Sequence, residues 1–536
     1  MTTRLAVLAV YFLVVLALGL LAKSRLKDSP SQYFLAGRSL RGFVLIGTMA
    51  ATNFSAFTVF GASGAGYRDG LAFFPIMAFG TGFMALTFWI IGRRAWEWGQ
   101  RHDLVTPAEL VGRIYGGRAL PGLFALVLVV FTVPYLALQP LAGGLVLQQL
   151  FGLPQWAGAG VVTMVIALYT LRGGMKAVAW TDVFQGILMV VLMLAAILAV
   201  ADSEGGMVGA LGRVYQERPE LFSRPGGQGQ YLPGVWFSYI LLWFYCDPMF
   251  PQLFQRFFSA RNPRGLAHSA LWYPTICTLV FALPITLGLL GHLEFPGLAG
   301  KAADNILPLL ATKLGGDLLG TCILAAGLAA LMSTMDSQLL TLSSIFTRDI
   351  LPLFSRRPEI SPLWGRGFVL LLALYGWALA INPPATILQI ATQAFTGFAA
   401  LFPTVFFGLY LPRPRIAAGL ASILVGQALL LAYALGWLPT PQAVLPAVPV
   451  MAAATLVYLT VHLLSGSPLR PEVSPRAWLF AGLFGLIFLA SQDYWRWDQV
   501  GGLWLGWPVW AWYFVGLSAL QTLAMWWWLR PRRLRA

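Results

Sequence analysis

The sequence predicts an all-α membrane protein that crosses the bilayer many times, and three observations support this fold class. Hydrophobic residues make up 58% of the 536 residues, and charged residues only 10%. Apolar runs of about 20 residues, the length of a membrane-spanning helix, recur along the whole chain. Two of these runs contain helix-breaking residues, and each begins a set of five runs. A soluble enzyme is therefore not predicted. The net charge is +15, but the basic residues are scattered through short loops, so a nucleic-acid-binding patch is not predicted either.

Fifteen apolar segments are predicted, which corresponds to about 13 to 15 transmembrane helices. They run roughly from 3 to 22, 42 to 67, 70 to 92, 120 to 146, 154 to 171, 178 to 201, 233 to 252, 268 to 292, 317 to 346, 365 to 382, 385 to 410, 416 to 437, 443 to 465, 477 to 491 and 504 to 529. The first is expected to be a retained membrane helix, because it is long for a signal peptide and lacks a clean cleavage site.

The distribution of basic residues predicts a multi-pass protein of the cell (inner or cytoplasmic) membrane, with its N-terminus outside the cell and its C-terminus in the cytoplasm. With this orientation, 27 of the 35 lysines and arginines fall in loops that face the cytoplasm, as the positive-inside rule requires. The remaining eight are Arg4, Arg68, Arg213, Arg218, Arg224, Lys301, Lys313 and Arg496.

The second and seventh segments are predicted to be broken helices. Asn53 and Ser55 stand among several glycines in the second, and the seventh contains Asp247, Pro248 and Pro251. Segments 2 to 6 and 7 to 11 then form two sets of five helices with opposite topology. Such an inverted repeat, with a broken first helix in each half, is typical of transporters that bind solute and ion near the bilayer midplane.

The ninth segment combines membrane length with many hydroxyl groups. Its small and hydroxylated residues recur at steps of three or four along one face, and large apolar residues occupy another. The small face consists of Ala326, Ala330, Ser333, Ser337, Thr341 and Ser344. The hydroxyls of Ser333 and Thr334 are hard oxygen donors that an alkali cation accepts, although such hydroxyls also commonly bond to their own helix. Asp336 favours a functional site, because a carboxylate at membrane depth is costly.

Five motifs on these segments resemble those of the sodium:solute symporter family, whose bacterial members include proline, pantothenate and monocarboxylate carriers. They are YFLAGRSL at 33–40, ATNFSAFTVFGASGAGY at 51–67, YTLRGGMKAVAWTDVFQG at 169–186, FQRFFSARN at 254–262 and AALMSTMDSQLL at 329–340. The resemblance covers about residues 5 to 465. It implies a LeuT-type core and sodium-coupled symport of a small organic solute, of carboxylate or amino acid type, by alternating access.

The resemblance also implies where the ion binds, between segments 2 and 9. Its ligands would be the backbone carbonyls of Ala51, Phe54 and Ala330 and the hydroxyls of Ser333 and Thr334. Ser337, one turn nearer the cytoplasm, is left outside this set. Asp182 matches an acidic position that the family uses in ion coupling. The alternative for Asp182 is an interfacial carboxylate that pairs with Lys176 or is solvated.

The solute residues are predicted only by analogy, as polar side chains of segments 2, 4, 7 and 11 that would face the cavity. They are Asn53, Ser55, Tyr135, Gln139, Tyr245 and Gln393. Asp247 either touches the solute or caps the second half-helix. Some relatives have an acidic residue where this chain has Asn53, so proton coupling stays an alternative to sodium coupling.

The predicted domain organisation is a symporter domain at 1–465, with core repeats at about 42–201 and 233–410, followed by a two-helix membrane extension at 466–536. The extension resembles small membrane proteins that accompany some symporters of the family, and a packing pair without function is the alternative. A transporter-like sensor is a second functional class, although no kinase domain follows. No phosphate-binding loop or catalytic dyad is present in the sequence, and no cofactor other than the coupling ion is predicted.

Overall fold

The computed structural model describes residues 2–21, 29–203, 205–314, 316–354, 362–382, 385–471, 473–497 and 499–530. In chain order the helices are α1 (Thr2–Leu21), α2 (Pro30–Leu35), α3 (Gly42–Asn53), α4 (Ala62–Asp69), α5 (Phe73–Pro75), α6 (Thr81–Met84), α7 (Leu86–His102), α8 (Pro107–Tyr115), α9 (Ala119–Phe151), α10 (Gln155–Ser203), α11 (Met207–Glu217), α12 (Pro233–Cys246), α13 (Pro251–Ser259), α14 (Pro263–Leu290), α15 (Ile306–Leu314), α16 (Gly316–Ile345), α17 (Leu351–Phe354), α18 (Pro362–Ile381), α19 (Ile387–Ala399), α20 (Phe402–Tyr410), α21 (Ile416–Ala434), α22 (Ala447–Leu464), α23 (Pro475–Ala490) and α24 (Val509–Leu529).

Short turns and one hairpin complete the described chain. The 3-10 turns are Ala36–Arg38, Gly70–Ala72, Pro219–Phe222, Asp247–Met249, Gly291–Leu293, Gly300–Asn305 and Tyr494–Arg496, and the π turns are Phe57–Gly61, Ile76–Gly80 and Phe346–Ile350. The hairpin pairs β1 (Leu503–Trp504) with β2 (Trp507–Pro508) in antiparallel fashion.

The predicted all-α membrane fold is confirmed. Helices lie at each of the fifteen predicted segments, and ten continuous helical stretches of the described chain, some of them made of more than one labelled helix, are long and apolar enough to cross a membrane. Segments 5 and 6 are joined in α10, where the backbone turns at Gly174 with φ of 61°. The outer surface is apolar, since Leu13, Leu198 and Leu456 are exposed by 65, 60 and 63%. Such a surface suits lipid rather than water.

Both predicted helix breaks are present. The first helix of the first repeat ends at Asn53, and Phe54 is extended (φ −89°, ψ 95°) before the chain turns back into helix. In the second repeat, α12 ends at Cys246, and Phe250 (ψ 119°) separates the following 3-10 turn from α13. In each repeat, the break between two half-helices therefore places non-helical backbone in the protein interior.

Helix α16 lies at the centre of the molecule. Every residue from Ile323 to Ile345 is buried, so the large apolar stripe is covered as completely as the small hydroxylated one. The helix contacts α1, α3, α9 and α10. Because all its faces are occupied by protein, its polar side chains must find partners on neighbouring helices.

The C-terminal extension packs directly on the core. From α24, Gln521 Nε2 donates to the Gly82 carbonyl at 2.8 Å, and Phe514 lies 5.8 Å from Phe79. The loop between α23 and α24 also supplies Asp493, which pairs with Arg224 at 3.0 Å. The Asp493 side chain is 3% exposed and the Arg224 side chain is 1% exposed. The domain boundary at 465 and the likeness to a companion subunit remain predictions, and the last six residues lie outside the described part of the chain.

The surroundings of Arg224 explain why it needs a partner. The predicted outer loop does contain this arginine, but its guanidinium is buried among aromatic rings, 4.0 Å from the Trp497 ring and 4.8 Å from that of Phe514. Burial lowers the pKa of Arg224 to about 10. This pKa is still well above neutral pH, so the buried side chain stays charged. The ion pair with Asp493 therefore holds the extension to the core.

Replacing Asp493 is expected to destabilise the whole protein. Asp493→Asn leaves the Arg224 charge buried without its counter-charge, which costs about 3 to 5 kcal/mol for a buried pair. The matched control is Glu220→Gln, which removes the Arg218–Glu220 pair in the loop that contains Arg224. The side chains of Arg218 and Glu220 are 46% and 41% exposed. Such a pair contributes about 0 to 1 kcal/mol. Unfolding temperatures of the purified variants test this difference, and equal shifts would contradict it.

Candidate functional site

The backbone donors just after the first break are bonded to side chains instead of to the helix. The Ser55 amide donates to Thr58 Oγ1 at 3.2 Å, and the Ala56 amide donates to Gln139 Oε1 at 3.0 Å. Gln139 is on α9, and its own amide group donates to the Tyr135 carbonyl at 2.9 Å. The carbonyls that lie four residues earlier on α3 are thereby released from their usual helical partners.

Two hydroxyls of α16 contact these released carbonyls. Ser333 Oγ donates to the carbonyls of Ala51 at 3.1 Å and Ala330 at 3.0 Å. Thr334 Oγ1 donates to the carbonyls of Thr52 at 3.2 Å and Ala330 at 3.4 Å. All five residues are buried. The result is a compact group of neutral hard oxygens, the chemistry that suits an alkali cation. It includes the Thr52 carbonyl, which the sequence analysis missed.

Phe54, the fifth predicted ligand, lies at the break itself. Its amide still donates to the Ala50 carbonyl at 3.0 Å, and its ring is stacked 6.0 Å from that of Tyr273. The contacts of Ser333 and Thr334 go to the two residues before the break rather than to Phe54. A role for the Phe54 carbonyl therefore remains a prediction.

A buried ion pair lies beside this oxygen group. Arg256 Nη2 donates to Asp182 Oδ2 at 2.7 Å, and neither side chain is exposed. The hydroxyls of Thr48 and Thr52 donate to the same oxygen at 2.5 and 3.1 Å. The alternative of an interfacial or solvated Asp182 paired with Lys176 is wrong, because Asp182 is fully buried and bonded to α13.

Ser337 belongs to this network and is not a neutral neighbour of the oxygen group. Its Oγ accepts from Arg256 Nη2 at 2.7 Å and lies 3.0 Å from Thr52 Oγ1. It also donates to Asp336 Oδ1 at 3.2 Å, while Tyr169 donates to the other Asp336 oxygen at 3.0 Å. Asp336 is thus a buried carboxylate with partners, as its position on α16 led us to expect.

Thr52 joins the neutral oxygen group to the Arg256–Asp182 ion pair. Its carbonyl accepts from Thr334, whereas its hydroxyl contacts Asp182 and Ser337. Oδ1 of Asp182 is buried and has no hydrogen-bond partner among the described residues. The arrangement links the position of α3 at the break to the charge pair on α10 and α13.

The two helix breaks face each other. Asn53 Nδ2, at the first break, donates to Tyr273 Oη at 2.6 Å and contacts Asp247 Oδ2, at the second, at 3.4 Å. Cys246 Sγ approaches the other oxygen of Asp247 at 3.2 Å. The residue before α13 is Phe250, and no side chain caps that helix. Asp247 therefore does not cap the second half-helix, and its carboxylate is directed toward the first break.

An aromatic cluster lies next to this pair of breaks. The Tyr135 ring meets Phe395 edge-on at 4.9 Å and lies 5.6 Å from Phe250, and Phe395 is 5.6 Å from Trp243. Ser55 is fully buried at the first break, where its hydroxyl accepts from the Phe57 amide at 3.1 Å. The structure thus brings together three of the predicted solute residues, Asn53, Ser55 and Tyr135, with apolar rings beside them.

The other three predicted solute residues either lie away from the two breaks or already bond to other protein groups. Both polar groups of Gln139 bond to backbone, so it supports the break. Tyr245 stacks on Phe402 at 4.3 Å, with its hydroxyl 3.4 Å from Thr455 Oγ1. Gln393 is exposed, whereas Ala391, Ala394 and Phe395 of the same helix are buried. Periodicity did not reveal which face of α12 or α19 points to the centre.

Arg256 and Tyr273, like Thr48, Thr52 and Tyr169, are polar side chains of these networks that the sequence analysis missed. Arg256 stands in one of the quoted motifs, but the positive-inside count assigned it to a cytoplasmic loop. The predicted segment ended at 252, whereas α13 continues to Ser259. Pro251 at the first position of a helix was the available signal for this continuation.

Comparisons with known proteins agree with this fold. Residues 33–426 match the sodium:solute symporter family. The sodium/proline symporter of Escherichia coli (strain K12) is 30% identical over 456 residues, which cover 82% of this chain and 89% of that protein. The sodium/pantothenate symporter of Haemophilus influenzae is 27% identical over 412 residues, which cover 74% and 83%.

Two solved structures share the architecture. A Na+-coupled sialic acid symporter in a substrate-bound, outward-open state superposes with a TM-score of 0.70 at 18% identity, covering 85% of this chain and 98% of that one. A nucleobase-cation-symport-1 family transporter in a closed conformation gives a TM-score of 0.58 at 15% identity, covering 83% and 98%. The family match covers most of the chain, from the motif before α3 to the middle of α21. The chain therefore belongs to the sodium:solute symporter family, whose members are transporters and not enzymes.

Proposed function

We propose that the oxygens of Ala51, Thr52, Ala330, Ser333 and Thr334 bind the sodium ion that this symporter moves together with a small organic solute. The observation that carries the proposal is the contact of two α16 hydroxyls with two carbonyls released at the break in α3. Carbonyls at the C-terminal end of a helix also carry the negative end of its dipole, which favours a cation. The Phe54 carbonyl is retained as a further candidate ligand.

Sodium binding would compete with hydrogen bonds that join α3 to α16. In the structure, Ser333 and Thr334 direct their hydrogens at the carbonyls that are the proposed ligands. With a cation between these oxygens, the hydroxyls present lone pairs to it and their hydrogens turn away. Ion occupancy is thereby linked to the packing of α3 against α16, and a link of this kind is what coupling between ion and solute requires.

Asp182 is proposed to transmit this change rather than to hold the ion directly in the same oxygen group. Its hydrogen bond from Thr52 connects it to the sodium ligands, and its pairing with Arg256 connects it to α13, which follows the second break. Proton coupling is the alternative. A carboxylate whose charge is already balanced by a guanidinium is a poor proton carrier, which favours sodium.

We also propose that the N-terminus is outside the cell and that the ends of α7, α20 and α24 face the cytoplasm. The grouping of basic residues supports this orientation. It places the Arg224–Asp493 pair on the outer side and the arginines that follow α7 on the inner side.

Removing either hydroxyl of the proposed site is expected to weaken sodium binding. For Ser333→Ala and Thr334→Ala, dehydration of the ion is less fully compensated. A loss of about 1 to 3 kcal/mol corresponds to an increase of about 5- to 150-fold in the sodium concentration for half-maximal uptake. Solute affinity at saturating sodium should change little.

The matched control for this pair is Thr321→Ala on the same helix. Among the described residues, its hydroxyl bonds only to the carbonyl of Asp317, one turn earlier. Sodium dependence in this variant should equal that of the wild type. If all three variants change equally and slightly, the hydroxyls serve their own helix and the sodium site must be withdrawn.

The bridging role of Thr52 predicts a difference between two threonines of α3. Thr52→Val keeps the carbonyl and the side-chain shape but removes the bonds to Asp182 and Ser337. We expect roughly a 5-fold increase in half-saturating sodium, for a loss of about 1 kcal/mol. Thr48→Val also removes a bond to Asp182 but touches no proposed sodium ligand, so its sodium dependence should stay close to that of the wild type. Equal effects on sodium-dependent uptake would refute the bridge.

For the solute, we propose a molecule that carries an amino group as well as a carboxylate. Asn53, Asp247 and Tyr273 form the polar centre between the breaks, and the rings of Tyr135 and Phe395 offer an apolar surface. The Asp247 carboxylate would attract an ammonium group and repel a solute that is only an anion. An amino acid type of solute is therefore favoured over a simple carboxylate.

A solute panel tested on Asp247→Asn examines this proposal. Amino acids should stabilise the wild-type protein against heat in sodium, and carboxylates of equal size without an amino group should not. In Asp247→Asn, affinity for the amino solute should fall by about 10- to 150-fold, as for a lost hydrogen bond to a charged group. Half-saturating sodium should be unchanged. Preference for the non-amino carboxylates, or an equal shift in sodium dependence, would show that Asp247 does not select the solute.

A further inference from the structure

A large crevice lies between the C-terminal extension and the core. Helix α23 meets the core through Phe488, whose ring is 5.9 Å from Phe83 and 6.0 Å from Phe237. Beside this contact a space of about 1480 Å³ remains, bounded by α7, α12, α20, α23 and the end of α24. Helices α7 and α20 belong to helical stretches long enough to cross a membrane, and α12, α23 and α24 lie in predicted transmembrane segments, so we expect the space to open toward lipid.

The wall of the crevice combines an apolar part with a basic mouth. Phenylalanines such as Phe244, Phe402 and Phe484 line the part between the helices. The basic residues are Arg93, Arg94, Arg101, Arg264, Arg476 and Arg530. Glu97 is the one acidic residue among the described residues of the wall. All six arginines belong to ends and loops on the predicted cytoplasmic side.

Among the described residues of the wall, one carboxylate stands beside six guanidinium groups, and several of the six contact other protein groups. Arg93 pairs with Glu97 at 2.9 Å, Arg94 lies 3.9 Å over the Tyr410 ring, and Arg476 donates to the Trp528 carbonyl at 2.8 Å. These contacts fix three guanidinium groups around the mouth. Arg101 and Arg264 are exposed beside them. The mouth therefore presents several guanidinium groups that favour an anion.

We propose that this crevice binds an anionic phospholipid of the inner leaflet, with its phosphate among the arginines and its acyl chains along the phenylalanines. Basic pockets between helices on the cytoplasmic side are suited to anionic lipid head groups, and guanidinium groups match phosphate geometry. The volume exceeds the range of about 300 to 1,000 Å³ usual for small-molecule pockets. A free anion would leave the apolar part unfilled. The lipid would join the extension to the core, and the proposal does not depend on sodium coupling.

The head-group part is tested by native mass spectrometry of the full chain, taken from nanodiscs with equal parts of phosphatidylcholine and phosphatidylglycerol. The wild-type protein should retain phosphatidylglycerol preferentially. The double variant Arg101→Gln with Arg264→Gln should retain it about 30-fold less, since each basic group near the membrane surface contributes to binding of anionic lipid. The control, Arg41→Gln with Arg261→Gln, makes the same charge change at exposed residues of the same side outside the crevice. It should behave as the wild type.

The acyl-chain part is tested by filling the crevice. A Cβ atom added at Gly485, which lines the crevice, would meet no atom within 4 Å, and the same holds for Gly482, which lies on the same helix outside the crevice. Gly485→Trp should abolish lipid retention, and Gly482→Trp should preserve it. Unfolding temperatures in phosphatidylcholine alone verify that all variants fold. Equal retention of the two lipids by the wild type, or unchanged retention in the arginine pair or in Gly485→Trp, would overturn the proposal.

Discussion

Backbone groups released inside a membrane must find partners within the protein, and the centre of this transporter is organised by that constraint. The break after Asn53 removes α3 carbonyls and the following amides from the helical ladder. Gln139 of α9 and Thr58 take the amides, while Ser333 and Thr334 of α16 take the carbonyls. One broken helix thus fixes two others against it. The same oxygens are available to a cation once the hydroxyl hydrogens turn away.

The buried charges follow from this arrangement. An isolated guanidinium in a membrane protein interior is very costly, so Arg256 is accompanied by Asp182 and by hydroxyls of Thr48 and Ser337. Thr52 belongs to both the charged and the neutral group. Through it, the packing at the first break depends on a residue that follows the second break. This gives the two halves of the inverted repeat a shared polar contact, in addition to the contact between Asn53 and Asp247.

Local sequence signals predicted the features that depend on residues close together in the chain. Apolar length predicted the helices, glycines and prolines predicted both breaks, and adjacent hydroxyls on a small helical face predicted Ser333 and Thr334. The partners were harder to predict, because Thr334 and Thr52 are 282 residues apart and Asn53 and Tyr273 are 220 apart. Arg256 was misassigned because charge alone suggests a loop. A solute role for Tyr245 and Gln393 stays a prediction, because their helices are apolar on several faces and periodicity does not define which face points to the centre.

The most direct test of the account is thermal unfolding of the purified wild-type protein as sodium replaces choline at constant ionic strength, repeated at several pH values. A ligand that binds only the folded state stabilises it by mass action, by about 2.7 kcal/mol at 100 times its dissociation constant. We predict an unfolding temperature that rises with the logarithm of sodium concentration at every pH, with no comparable rise for potassium. A protein that sodium does not stabilise, but that lower pH does, would contradict the sodium site and favour proton coupling.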